Sequence, residues 1–177
     1  MALGDTRFRR LLLGSTLSSF GDSALYLSLG IWAKDLTGSN GAAGAIFLAQ
    51  GLPYLAAPVT GHWVDRVRRK PLLIGLNAAS GVAVLSLLAV RSEGEIWLLY
   101  AFSAFYGATA VVRGPAMAGL LKDFIPDAEL ASANAAFATV AQGLRIVSPL
   151  AGAALYATFG GASLALLDAA TFAFAVV

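Results

Sequence analysis

The 177-residue chain has no cysteine, one histidine and only 12% charged residues. Without cysteine there is no disulfide, thiolate metal ligand or thiol nucleophile, and no clue to redox compartment. His62 alone leaves zinc chemistry short of ligands and lies at the edge of an apolar run, away from any Gly-x-Ser-x-Gly elbow. The sequence therefore predicts no enzyme, metal or cofactor. Charge is scarce by region as well: 36–64, 72–90 and 133–144 hold no Asp, Glu, Lys or Arg. A soluble domain carries about 25% charged residues, whereas this chain is 58% hydrophobic with a mean hydropathy of +0.76. An ordinary water-soluble globule is excluded. The net charge of +2 comes from basic clusters flanking apolar runs, a pattern of membrane orientation and not of nucleic-acid binding.

What is there is hydrocarbon-length helix. A bilayer core of roughly 30 Å takes about 20 helical residues, and the chain divides into six such segments near 10–33, 42–63, 71–91, 96–121, 132–158 and 162–177. The fold class is an all-α membrane protein of six transmembrane helices in one bundle spanning 1–177. Arg7, Arg9 and Arg10 precede a leucine run as in a secretory signal, but no clean cleavage site follows, so the first segment is read as retained. Lys and Arg collect on the cytoplasmic side. Arg7, Arg9, Arg10, Arg66, Arg68, Arg69, Lys70 and Lys122 fall on one side, Lys34 and Arg91 on the other. The N-terminus is expected in the cytoplasm and the chain in the inner (cell) membrane. The last segment reaches Val177 without a polar exit, from which a longer protein is expected.

The run Ala49-Gln50-Gly51-Leu52 recurs as Ala141-Gln142-Gly143-Leu144, with Pro58 and Gly61 after the first copy and Pro149 and Gly152 after the second. The offset of 92 residues matches segments 1–3 (about 10–91) to segments 4–6 (about 96–177). Three is odd, so the second triplet enters the membrane from the opposite side: two inverted three-helix repeats, with a site expected near the midplane.

Gly61-His62-Trp63-Val64-Asp65-Arg66-Val67-Arg68-Arg69-Lys70 between segments 2 and 3 resembles the loop signature of the major facilitator superfamily, departing at Arg68 where the family has glycine. The resemblance covers the whole chain as the N-terminal half of such a transporter. It implies that Gly61, Asp65, Arg66, Arg69 and Lys70 form a cytoplasmic latch. Physically, Gly61 would permit close helix contact and the basic run would meet carboxylates or lipid headgroups; the same run also sets topology. Ser148-Pro149-Leu150-Ala151-Gly152 is similar to the family's antiporter signature, keeping Pro149 and one glycine, Gly152; it equally fits a plain proline bend. Asp22 and the segment 121–134 look most like bacterial siderophore and macrolide exporters. The resemblance implies a secondary active transporter, a proton-coupled exporter of small drug- or siderophore-like molecules working by alternating access. Its partners are the lipid bilayer, a small-molecule substrate, and a second six-helix half or a second copy of the chain. A non-transporting membrane partner protein is the rival reading.

Charges inside a bilayer are costly and mark pathways. Asp22, Arg113, Arg145 and Asp168 qualify. Ser15, Ser18, Asp22 and Tyr26 share one helix face, as do Tyr106, Thr109 and Arg113, and Gln142, Arg145 and Ser148. The expected pathway comprises Asp22, Tyr26, Tyr106, Arg113, Gln142 and Arg145, in a cavity between segments 1, 4 and 5, with segments 3 and 6 outside. Equal depth favours Asp22 with Arg145, either as a protonatable switch or as a permanent ion pair. Asp168 is expected away from the cavity, beside Asn77 or a donor of segment 5.

Overall fold

The structure is a computed structural model that describes residues 6–176, apart from the side chains at 7, 124 and 174–176. The Arg7 side chain and Val177, both used above, lie outside the described residues. Helix α1 spans Thr6–Thr37 and ends at Gly38, whose positive φ of 68° lets its amide return to the Lys34 carbonyl at 2.7 Å. Ser39 then caps α2 (Asn40–Gly51) by accepting from the Ala42 amide at 3.3 Å. Pro53 and Pro58 cannot donate to the helix ladder. The chain accordingly tightens to 3-10 geometry over Leu52–Ala56 before α3 (Ala57–Val64).

Helix α4 (Arg69–Leu85) closes in a 3-10 turn, Ser86–Ala89, and another at Glu93–Glu95 leads into α5 (Ile96–Phe124). Ser92 and Glu95 form a reciprocal capping box there. Ile125 is extended, as a residue before proline must be, and α6 (Asp127–Val176) follows. It is broken at Gly160, where φ 75° and ψ 176° suit only glycine.

Both arms of α6 flank α1. Phe8 meets Phe137, Ala24 meets Gly152 and Trp32 meets Tyr156, so the arm 127–159 runs parallel to α1. Beyond Gly160 the order reverses: Gly161 meets Trp32 and Asp168 meets Gly21. Helix α5 runs parallel to α2 and α3, with Tyr100 reaching the Ala42 carbonyl, Gly107 against Gln50 and Arg69 bound to Asp123.

Among the described residues four stretches are long and apolar enough to cross a membrane: Asn40–Val64, Arg69–Ala89, Glu93–Asp123 and Asp127–Ala173. The sequence predicts six. The 47 residues of the last stretch would extend about 70 Å as one rod at 1.5 Å per residue, and the Gly160 break divides them where the sequence places a turn between segments 5 and 6. Helix α1 has the length, 32 residues, but its serines, Asp22 and arginines keep it out of this apolar set. The main core gathers Leu25, Leu29, Val84, Leu99, Phe102 and Leu164 toward the Gly38–Gly160 end. Smaller clusters close the basic end around Phe8, Leu121 and Ala133 and around Val64, Leu73 and Ala116.

Candidate functional site

Between these clusters lies a cavity of about 240 Å³ lined by Ser19, Asp22 and Ser23 of α1, Tyr106, Thr109 and Arg113 of α5, and Arg145 of α6. It shares Ser19, Arg113 and Ala141 with a larger cavity of about 990 Å³ toward the basic end, where Ser15, Ser18 and Phe137 also lie. Of the predicted stripes, Ser15, Ser18 and Asp22 on α1, Tyr106, Thr109 and Arg113 on α5, and from α6 Arg145 but not Gln142 or Ser148, line the two cavities. The larger cavity also takes Lys70, Leu73, Ile74 and Asn77. Helix α4, expected outside, is part of the lining at this end because residues 70–77 face the gap between α1 and α5.

Arg113 Nη1 donates to Asp22 Oδ2 at 2.7 Å, and the guanidinium stands 5.5 Å from the centroid of the Phe172 ring, within cation–π range. The pairing of Asp22 with Arg145 is therefore incorrect. Counting residues along parallel rods gives Asp22 and Arg145 similar depth, but α5 faces Asp22 across the cavity and the long arm of Arg113 spans the difference in height. Arg145 lines the same cavity, is exposed, and makes no ion pair among the described residues. Asp22 Oδ1 and Arg113 Nε and Nη2 have no hydrogen-bond partner among the described residues, so the pair has free valence.

Tyr26 and Gln142 stand apart from both cavities. Tyr26 is exposed and packs on Phe47 at 5.5 Å between centroids; four residues past Asp22 the helix has risen a turn and rotated by about 40°. Gln142 is exposed, because the lining face of α6 runs through Ala138, Ala141 and Arg145 and leaves it on the flank.

Asp168 lines neither cavity, and the correction for segment 6 concerns its expected partner Asn77. The Asp168 side chain is fully buried and faces α1, where a β-carbon at Gly21 would collide with Asp168 Oδ1 and Thr171 Oγ1. Thr171 Oγ1 donates to the Asp168 carbonyl at 2.8 Å and lies 3.3 Å from Oδ1. Asn77, its expected partner, lines the larger cavity instead. The available signal was the glycine beside Asp22, which leaves room for a neighbour's side chain. Among the described residues no three His, Asp or Glu side chains group to hold a metal.

In the loop motif, Arg69 crosses Gly119 of α5, bonds Asp123 at 2.8 Å and approaches Asp65 at 3.8 Å. Asp65, Arg66 and Lys70 are exposed. Gly61 does not serve a close helix contact: nothing described lies within 4 Å of a β-carbon built there, since α3 turns that face outward. Gly152 does what Gly61 was expected to do, seating α6 against the Ala24 carbonyl. Two apolar faces remain uncovered: Leu48, Leu52, Leu55 and Val59 on α2, α3 and the turn joining them, and Ile146, Val147 and Leu150 on α6.

Residues 11–177 match the Major Facilitator Superfamily. The chain is 27% identical over 164 residues to the uncharacterized MFS-type transporter YfiS of Bacillus subtilis (strain 168), covering 92% of this chain and 39% of that protein. It therefore spans well under half the length of that relative, and no solved structure gives a significant match. The family match and the long apolar helices make this a multi-pass membrane protein. With a polar, charge-bearing cavity inside an apolar helical bundle and a family match over nearly its whole length, the chain belongs to the major facilitator superfamily, a family of membrane transporters and not of enzymes.

Proposed function

We propose that the chain is the N-terminal half of a secondary active transporter that exports small drug- or siderophore-like molecules in exchange for protons by alternating access. The observation that carries this reading is the Asp22–Arg113 pair at 2.7 Å on the wall of a cavity in an otherwise apolar bundle. Ionisable groups at membrane depth face protein or water and mark pathways. Asp22 takes the proton and Arg113 holds its charged form, while Tyr106 and Arg145 complete the wall that meets substrate. Tyr26 and Gln142 are on surfaces where only a second half would bring them to the pathway.

Six spans in two inverted triplets fit the contacts: the first and fifth segments pack in parallel through Gly152, and the second and fourth through Gly107. The excess of Lys and Arg at the loop ends near Arg9, Arg10, Arg66, Arg68 and Lys122 supports placing that side, with the N-terminus, in the cytoplasm of a cell whose inner membrane holds the protein. Arg69, bound to Asp123, keeps the loop motif against α5 as a latch. Lipid tails suffice to cover the exposed apolar faces; a second six-helix half or a second copy of the chain is called for by Tyr26 and Gln142, polar side chains left exposed on the bundle's surface. Pro149 and Gly152, which keep part of the antiporter signature, support export.

The test is proton movement in proteoliposomes of the full-length protein loaded with a pH-sensitive dye, challenged with cationic drugs and with siderophores. Asp22→Asn is expected to abolish substrate-driven proton flux while the protein still inserts; unchanged coupling removes Asp22 from the mechanism.

A further inference from the structure

Asp168 is the buried ionisable group that this transport reading leaves unused. Its carboxyl is fully buried, has Oδ2 unpartnered among the described residues, and lies where the side chain of Gly21 would be, beside Asp22 in sequence. The groups around it are few. From α1 it abuts Gly21 and feels the charge of Asp22, and from α5 it feels Arg113, with Tyr106 in the same electrostatic cluster; from α4, Gly81 packs against Phe172 on this arm. Two carboxyls thus surround one guanidinium. Arg113 already leans over Phe172, one helical turn from Asp168 on the same arm, with Nε and Nη2 free of hydrogen bonds among the described residues.

We propose that Asp168 is the alternative counter-ion of Arg113: Asp22 and Asp168 share one proton, and whichever carboxyl is ionised holds the guanidinium. This rests on the transport reading above, in which Asp22 changes protonation. With Asp22 ionised, Arg113 bonds Oδ2 of Asp22 and the proton sits on Asp168. The proton passes between the two carboxyls: the O–H bond of Asp168 breaks as an O–H bond forms on the Asp22 carboxylate, and Arg113 moves from Asp22 to the newly ionised Asp168; Asp22, on the cavity wall, is the member that exchanges its proton with cavity water. Both arrangements are electrically neutral, so neither strands a charge in a low-dielectric interior, where an uncompensated ion is heavily penalised. The pair titrates as a unit and not as two residues. Thr171, 3.3 Å from Oδ1, orients the Asp168 carboxyl.

The experiment is pH-difference infrared spectroscopy of the full-length protein in lipid nanodiscs, comparing wild type with Asp22→Asn, Asp168→Asn, Asp168→Glu and Thr171→Val. Asp168→Asn is expected to delete one protonated-carboxyl C=O band, Asp168→Glu to restore it at a shifted frequency, and Thr171→Val to shift it while leaving its amplitude. In Asp22→Asn the Asp168 carboxyl should ionise permanently against Arg113, so the band disappears there too. If Asp168→Asn and Thr171→Val leave every carboxyl band in place while Asp22→Asn removes one, Asp22 alone carries the proton: the transport reading stands and this inference falls. If none of the variants changes the spectrum, both fall. Should Asp168→Asn fail to fold, Thr171→Val decides, an unshifted band overturning the proposal.

Discussion

Replacing Arg113 with Gln should destabilise the bundle more than replacing Asp22 with Asn, and the two together should cost less than their sum. Removing one partner of a buried ion pair typically costs about 3–5 kcal/mol because the other charge is left uncompensated. Here the Asp22 side chain is 8% exposed and that of Arg113 21%, and both line a cavity, so the figures must be discounted. Arg113→Gln strands the more enclosed group, for roughly 2–3 kcal/mol, while Asp22→Asn leaves a guanidinium that keeps the Phe172 face and takes Asp168 as counter-ion, for about 1–2 kcal/mol. The double variant leaves two neutral amides and should cost about 1–2 kcal/mol, a coupling near 2 kcal/mol and within the range of directly interacting residues. Equilibrium unfolding by SDS titration in mixed micelles measures all three. Arg145→Gln is the decisive companion, expected to change stability by less than about 0.5 kcal/mol and to add independently to Asp22→Asn. Additive behaviour of Asp22 with Arg113, or coupling of Asp22 to Arg145, would refute the assignment.

Two further outcomes are expected. Gly152→Ala and Gly107→Ala each drive a β-carbon into a neighbouring backbone carbonyl and should destabilise by about 1–3 kcal/mol, whereas Gly75→Ala, with nothing within 4 Å, should be neutral or stabilising by up to about 1 kcal/mol; the same unfolding titration reads the difference in sign, and equal effects at all three positions would contradict the packing. At the start of α5, the Ser92 hydroxyl at 2.7 Å and amide at 2.8 Å donate to Glu95 Oε2. Ser92→Ala removes the hydroxyl of this cap and should destabilise by about 0.5–2 kcal/mol in the same unfolding titration, and an unchanged stability would be evidence against the cap.

The helical bundle is legible in the sequence wherever a charge-free run is bounded by a physical stop. Gly38, the Ser39 cap, Pro126 and Gly160 all mark helix boundaries where local chemistry requires them. The polar wall is legible for the same reason: helical spacing places Ser15, Ser18 and Asp22 on one face without knowledge of neighbours. What helical spacing cannot supply is the relation between helices. Depth estimates assume parallel rods, and so favour Arg145 for Asp22, when the α1–α6 contact is set by Gly152 and the cavity turns Arg113 inward. Asp168 is hidden for a related reason: its place depends on Gly21, a residue whose contribution is the absence of a side chain. Gly61 and Gly152 look alike in the sequence repeat, yet only Gly152 meets a neighbouring helix within this chain.

The reversal at Gly160 contains a single non-helical residue, and so has no slack. A longer connection would absorb a displacement of the preceding rod; this one passes it on. Any tilt of the arm carrying Arg145 is therefore delivered to the arm carrying Asp168, and the two ionisable groups are geared to one stroke.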